Sequence, residues 1–489
     1  MKKVLIVVFA LLLALPAVSF AGSATSRWDL TIGGYVKVDV GYVNQAAVGP
    51  AGLEAYFPDR PNMGNQSAAN NTGSFAMATG QTALNFLIKG PDTWGAKTTA
   101  FIQGNFVGQT INGNNNLNNG STVSGSGTGT RYGTFTLSHA YMDFTWANTK
   151  LTVGQQWQSW GFQPSYTFLG LYDLLMAGRG NTVPQISITQ NFNKNFYGTF
   201  GIQEPYNMRD QYGGSASLGI AQASVNIPAG AIPANIPGYV GATGQSTARV
   251  TTVMPDFVAE LGYKSEACGR IGPNVMQFAV GGFWGQDTMV YIDPSLGQRN
   301  QYTSSHVDRW GAAFKAFIPV IPEKNLNKAG AFSVSGQVFT GQNLANWFLG
   351  ARNVVSPIAY DSNPGPGVNW TVPVTTGGWG QLSYYITDKV FVNGLYGYNR
   401  NFTSTLYNQE FPNQMHQWRQ IIGNVIYDVN PAVRFGVEYT YGGANYDYYA
   451  VNTGQQQVGY TPNTGNTLNS ALGTHASNQT GRICFWYFF

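Results

Sequence analysis

Charge is scarce in this chain of 489 residues. Asp, Glu, Lys and Arg together make up 10% of it, against roughly 25% in a typical globular domain. Cysteine is scarcer still, with only Cys268 and Cys484. Two thiols are no disulfide framework for a long chain, and nothing in the sequence brings them together. No run of 18 apolar residues follows Ala21, so the rest of the sequence offers no spanning helix. Catalytic signatures are missing too. There is no G-x-S-x-G and no C-x-x-C-H for covalent haem. His139, His306, His416 and His475 lie far apart without metal-ligand spacing. Gly-rich segments lack the strand-to-helix setting of a phosphate loop. The sequence therefore points to no enzyme, no metal and no cofactor, and His139 reads as structural because no positioned partner is visible.

What is present is an amphipathic wall. Gly (61), Tyr (28), Phe (29) and Trp (12) are abundant. Low charge with many aromatics and uncharged polar residues suits a surface with lipid on one side and water on the other. The segment MKKVLIVVFALLLALPAVSFAG has two lysines, an apolar run from Val4 to Leu15, and small residues at Ser19 and Ala21. That is the pattern of a secretory signal peptide over 1–21, cleaved near Ala21; a membrane-anchoring helix is the alternative, barely long enough to span. Without Lys2 and Lys3, 24 basic residues face 22 acidic ones, too small an excess to suggest nucleic acid.

The dominant period is two. In WDLTIGGYVKVDVGY, Trp28, Leu30, Ile32, Val36, Val38, Val40 and Tyr42 alternate with Asp29, Thr31, Tyr35, Lys37 and Asp39. A strand with one oily and one polar face explains this; a helix does not. By that alternation the chain holds roughly sixteen strands. They lie near 28–43, 81–89, 96–107, 133–146, 150–158, 184–192, 196–204, 252–265, 273–285, 306–318, 331–340, 376–386, 389–399, 417–429, 432–442 and 478–489.

Connectors decide the class. Short ones, such as 147–149, 193–195, the turn around Asp388 and 430–431, alternate with long ones: 44–80, 108–132, 159–183, 205–251, 341–375 and 443–477. Tight turns at one rim and long loops at the other define an all-β transmembrane antiparallel barrel, with short periplasmic turns and long extracellular loops. Residues 111–130 are low-complexity loop. The closing segment RICFWYFF fits as the last strand, with Gly481, Ile483, Phe485, Tyr487 and Phe489 toward lipid. Pairing it with the first strand removes both edges.

The block SHAYMDFTWANTKLTVGQQWQSWGF (138–162), followed by RGNTVPQISIT (179–189), resembles the trimeric bacterial outer-membrane porins, most nearly the dicarboxylate-type (DcaP-like) group. The resemblance implies sixteen strands, a homotrimer and a third long loop folded inward; the connector count makes 159–183 that loop. Ala140, Met142, Phe144 and Trp146 give an early strand an apolar face suited to subunit contact. The aromatic end, Phe485, Tyr487 and Phe489, resembles the C-terminal signal read by the barrel-assembly machinery of Gram-negative bacteria.

A barrel this wide holds water. Parity points Lys37, Lys97, Lys264, Arg309, Lys315, Arg434 and Arg482 into the lumen, with Asp39, Asp143, Asp256, Glu260 and Glu438. Asp173 and Arg179, with Tyr166 and Tyr172, are the expected constriction, facing wall residues such as Lys37, Lys97 or Arg434; the alternative is that Asp173 and Arg179 pair with each other and only pin the loop. Three functions follow: a diffusion channel for small hydrophilic solutes and ions in the outer membrane, a specific channel for dicarboxylates or other small anions, or a non-conducting interaction barrel. No plug domain is expected before the first strand, which weighs against an energised transporter.

Overall fold

A computed structural model of the chain describes residues 28–44, 47–48, 57–58, 73–108, 134–161, 164–168, 182–204, 249–252, 254–292, 302–342, 344, 359–360, 370–371, 374–402, 415–446 and 475–489. Segments 1–21 and 111–130 lie outside these residues, and the expectations placed on them lie there too.

Sixteen antiparallel strands form one closed barrel. They are β1 (Asp29–Val43), β2 (Ser74–Ala78 and Ala83–Lys89), β3 (Lys97–Gly108), β4 (Thr134–Thr145), β5 (Thr149–Trp157), β6 (Thr182–Asn191), β7 (Phe196–Gln203) and β8 (Arg249–Thr252 and Asp256–Ile271). There follow β9 (Asn274–Ile292), β10 (Tyr302–Ile321), β11 (Phe332–Gln342), β12 (Val374–Tyr385), β13 (Val390–Phe402), β14 (Met415–Asn430), β15 (Val433–Tyr446) and β16 (His475–Phe488). Both parts of β2 pair with β1, and both parts of β8 pair with β9, so each counts as one interrupted strand. Every strand pairs with its sequence neighbour. β16 returns to β1 with Tyr35 opposite Phe488 and Val43 opposite Thr480. Closure leaves no edge to aggregate. Two small ladders, Ala47–Val48 with Phe57–Pro58 and Ala359–Tyr360 with Trp370–Thr371, lie in the connectors after β1 and β11.

The period of two is what divides the wall. On β15, Val437 is 57% exposed and its neighbour Glu438 1%. On β12, Leu382 and Tyr384 point out while Gln381 and Ser383 are buried inside. A shift of one residue would turn every oily side chain inward, so the pattern also fixes register. All sixteen expected segments correspond to strands. Differences are at the ends. β8 runs on to Ile271 across a register shift between Ser265 and Arg270; that irregularity breaks the alternation, which is why the sequence pattern stops near 265. β2 gains Ser74–Ala78 beyond an interruption that hides it from a periodic reading.

The interior is not uniformly polar. From β8 to β14, Val258, Phe283, Phe339, Trp379, Leu395 and Ile422 turn inward and are buried together with Trp160 and Leu344 from the connectors. A second buried group joins Tyr385, Phe391, Ile426 and Cys484 to Phe168. Burying a large apolar side chain contributes about 1.5–3 kcal/mol, so this half of the inner wall is a landing surface for the connectors. Both cysteines are free thiols.

Candidate functional site

The connector after β5 supplies Trp160, Tyr166 and Phe168 to that surface. Its described residues run across the interior from β6 to β1. Ser159 donates its hydroxyl proton to Gln185 on β6. Trp160 packs on Phe283 with ring centroids 5.1 Å apart. The Gly161 N–H donates to Glu260 Oε2 on β8 at 3.0 Å. The Tyr166 N–H donates to Gln381 Oε1 on β12 at 2.8 Å, and its carbonyl accepts from Asn424 Nδ2 on β14 at 2.5 Å. Phe168 ends the path. Its N–H donates to Glu438 Oε2 on β15 at 3.0 Å, and its carbonyl accepts from the Lys37 ammonium on β1.

The backbone of one residue is thus held between a carboxylate and an ammonium, both inside the barrel. Charge-assisted hydrogen bonds of this kind are roughly twice as strong as neutral ones. The Phe168 ring is buried against Trp486 at 5.2 Å. Gly436 makes the room: a Cβ there would meet Phe168 Cζ at 2.1 Å.

The surrounding charges are mutually balanced. Lys37 lies 3.1 Å from Asp39, both 2% exposed, and also donates to Gln81 Oε1 at 2.5 Å. Cys484 donates its thiol proton to Asp39 Oδ1 at 2.7 Å. Glu438 meets Arg482 at 3.5 Å and Asn424 at 3.1 Å. Arg309 and Asp256 form a buried pair at 2.8 Å. Lys315 meets Glu260 at 2.8 Å, and Glu260 also accepts from the Tyr197 hydroxyl at 3.1 Å. Each buried ion keeps an opposite charge within reach, without which burial would be prohibitive.

Of the expected constriction residues, Tyr166 takes part in the crossing, its ring edge-on to Phe391 at 5.5 Å. Tyr172, Asp173 and Arg179 lie outside the described residues. Among the expected wall residues, Lys37, Arg309, Lys315 and Glu438 are the buried ions just described. Arg434 is half-buried and paired with Asp428 at 2.5 Å across the turn that follows β14. Lys97 is exposed at the first position of β3. Phe485, Tyr487 and Phe489 are exposed on the outside. His139 is buried among rings, 5.2 Å from Trp157 and 6.0 Å from Phe101.

Sequence reasoning passed over Gln381, Asn424 and Gly436, which hold the crossing segment without carrying charge. Parity alone points the first two inward, so the signal was there for a reading that counted amides beside ions.

The crystal structure of the outer membrane channel DcaP of Acinetobacter baumannii matches this barrel with a TM-score of 0.61 at 14% identity, over 96% of this chain and 99% of that one. The fold is that of an outer-membrane channel. At lower scores the porin-like barrel also matches the anion-selective porin from Comamonas acidovorans, with a TM-score of 0.47 at 10% identity over 94% and 100% of the two chains. OprB of Pseudomonas putida gives a TM-score of 0.44 at 9% identity over 95% and 94%. No family model and no curated protein matches the sequence of this outer-membrane-channel fold.

Proposed function

We propose that the chain is an outer-membrane porin: a homotrimeric, water-filled channel for passive diffusion of small hydrophilic solutes and ions, without enzymatic activity. The observation that carries this reading is the Phe168 backbone held between Glu438 and Lys37, far from the strands that flank its own connector. A sixteen-stranded barrel is too wide for side chains to fill. A segment pinned across it narrows the opening and sets the size limit. In this reading Tyr166, Tyr172, Asp173 and Arg179 line the constriction, and the inward-facing charges tune preference. The short-turn rim faces the periplasm, the peptide 1–21 is removed near Ala21, and Phe485, Tyr487 and Phe489 are read by the barrel-assembly machinery.

Reconstitution of the mature protein in a planar bilayer tests this. Discrete ohmic steps that grow with salt concentration, and exclusion of sugars above a sharp size, are the expected result. A folded preparation that inserts and stays silent would leave the interaction barrel instead.

A further inference from the structure

We infer that the lumen-side wall at the short-turn rim carries a separate binding site for phosphate monoesters, built from Lys150, Lys194 and Lys264. The inference deepens the channel reading and rests on it for the statement that solutes pass this point.

The site is a concavity of 300 Å³ lined by those three lysines with Thr189, Tyr197 and Thr199, among others, and none of the described residues that line it is a carboxylate. That volume is at the small end of ligand pockets, about 300–1,000 Å³. Strand register puts the polar side chains on one inward row: Lys150 is opposite Thr189, Thr189 opposite Thr199, and Thr199 opposite Glu260. Lys264 lies four residues beyond Glu260 on the same face. The Lys264 ammonium sits 4.9 Å from the centre of the Tyr197 ring, and the chain around it is tied to the β6–β7 turn by Asn195 Nδ2, which donates to the Lys264 carbonyl at 2.7 Å. Lys194 is exposed in that turn.

The nearby acids are already engaged. Glu260 is held by Lys315, the Tyr197 hydroxyl and the Gly161 N–H. Asp143 accepts from Thr152 at 2.5 Å and lies 3.7 Å from Lys150. Three ammonium groups therefore face one or two carboxylates around a cavity otherwise lined by hydroxyls, amides and the rings of Phe196 and Tyr197. A doubly charged oxyanion satisfies such a set, with Asn191 able to donate as well, and one proton left free by the hydrogen-bonded pair of threonine hydroxyls (3.0 Å apart). Lysine is a compact point-charge donor suited to phosphate. A singly charged solute compensates less of the excess, and a neutral one none of it. Low-dielectric walls with one sign of charge also raise the local concentration of such solutes.

The test uses the mature protein in non-ionic detergent, with inorganic phosphate and glucose 6-phosphate as probes and glucose and acetate as comparators. Calorimetric titration should show both phosphates binding about tenfold more tightly than either comparator. Lys150→Gln with Lys264→Gln should weaken glucose 6-phosphate by about tenfold again, whereas Asp143→Asn should tighten it. Heat-modifiable gel mobility checks that each variant is folded. Independently of any variant, phosphate should slow acylation of Lys150 and Lys264 by an amine-reactive reagent, read by mass spectrometry. Glucose binding as tightly as its phosphate, an unchanged double variant, or labelling indifferent to phosphate would overturn the site. Binding is read here without ion flow, so a silent bilayer and an absent phosphate site are distinguishable failures.

Discussion

Lys37→Met is expected to give a channel of larger, noisier conductance in a less stable barrel. The ammonium of Lys37 is the donor to the Phe168 carbonyl and the partner of Asp39. Its loss leaves one carboxylate and one carbonyl buried without a cation. Removing one member of a buried pair typically costs about 3–5 kcal/mol, because the remaining charge stays uncompensated. The Phe168 N–H keeps Glu438, so the segment is not expelled; it loses one of two clamps and moves.

Two readouts separate the consequences. The temperature at which the folded band disappears on a gel reports stability. Planar-bilayer conductance reports the opening. Combining Lys37→Met with Asp39→Leu removes both charges, which by the same reasoning restores much of the stability. It does not restore the donor to Phe168, so conductance should stay raised. A Lys37→Met barrel with the conductance of the parent would show that Phe168 does not border the open passage.

The strands were legible because each must solve the same problem, oil on one face and water or buried polar groups on the other. Parity placed Lys37, Arg309, Lys315, Glu438 and Arg482 inside without any knowledge of their neighbours. Their partners were less legible. Lys37 and Asp39 are two apart on one strand face, and Asp428 and Arg434 are opposite each other across a hairpin. Both pairings follow from local geometry alone. Lys37 and Arg434 each have a carboxylate partner close along the chain, and Asp173 and Arg179, expected to face them, lie outside the described residues. The contacts of the crossing segment were not legible in its residues. It has no period, and its contacts are with residues as remote as Gln381 and Glu438, 215 and 270 positions away. Its anchors, Trp160 and Phe168, look in sequence like any loop aromatics. They become landing points only once Phe283, Gly436 and Trp486 are brought beneath them by closure of the barrel.

Closure of the barrel at its first strand needs a glycine at position 34. Gly34→Val is expected to abolish the folded barrel. Gly34 exchanges both backbone hydrogen bonds with Phe489, N–H to carbonyl in each direction at 3.1 Å. On its other side β1 pairs with β2, with Gly34 opposite Leu84. A Cβ at Gly34 would sit 2.3 Å from the Ala83 carbonyl oxygen and 3.1 Å from the Phe489 ring. The first contact is with backbone, which cannot rotate away. Its φ of 156° is also one that side-chain-bearing residues rarely adopt. Valine must therefore break the β1–β2 seam or the β1–β16 seam. Either break exposes a row of unpaired N–H and carbonyl groups, and in hydrocarbon each unsatisfied group costs several kcal/mol. A cost of that size exceeds the whole stability of a typical domain, about 5–15 kcal/mol, after only a few lost bonds. Gly481→Val is the matched control. That glycine lies on β16 beside β1, and a Cβ there meets nothing within 4 Å. The control should keep the heat-modifiable band while Gly34→Val loses it. Equal yields of folded barrel from the two variants would mean that the first and last strands do not meet at Gly34 and Phe489.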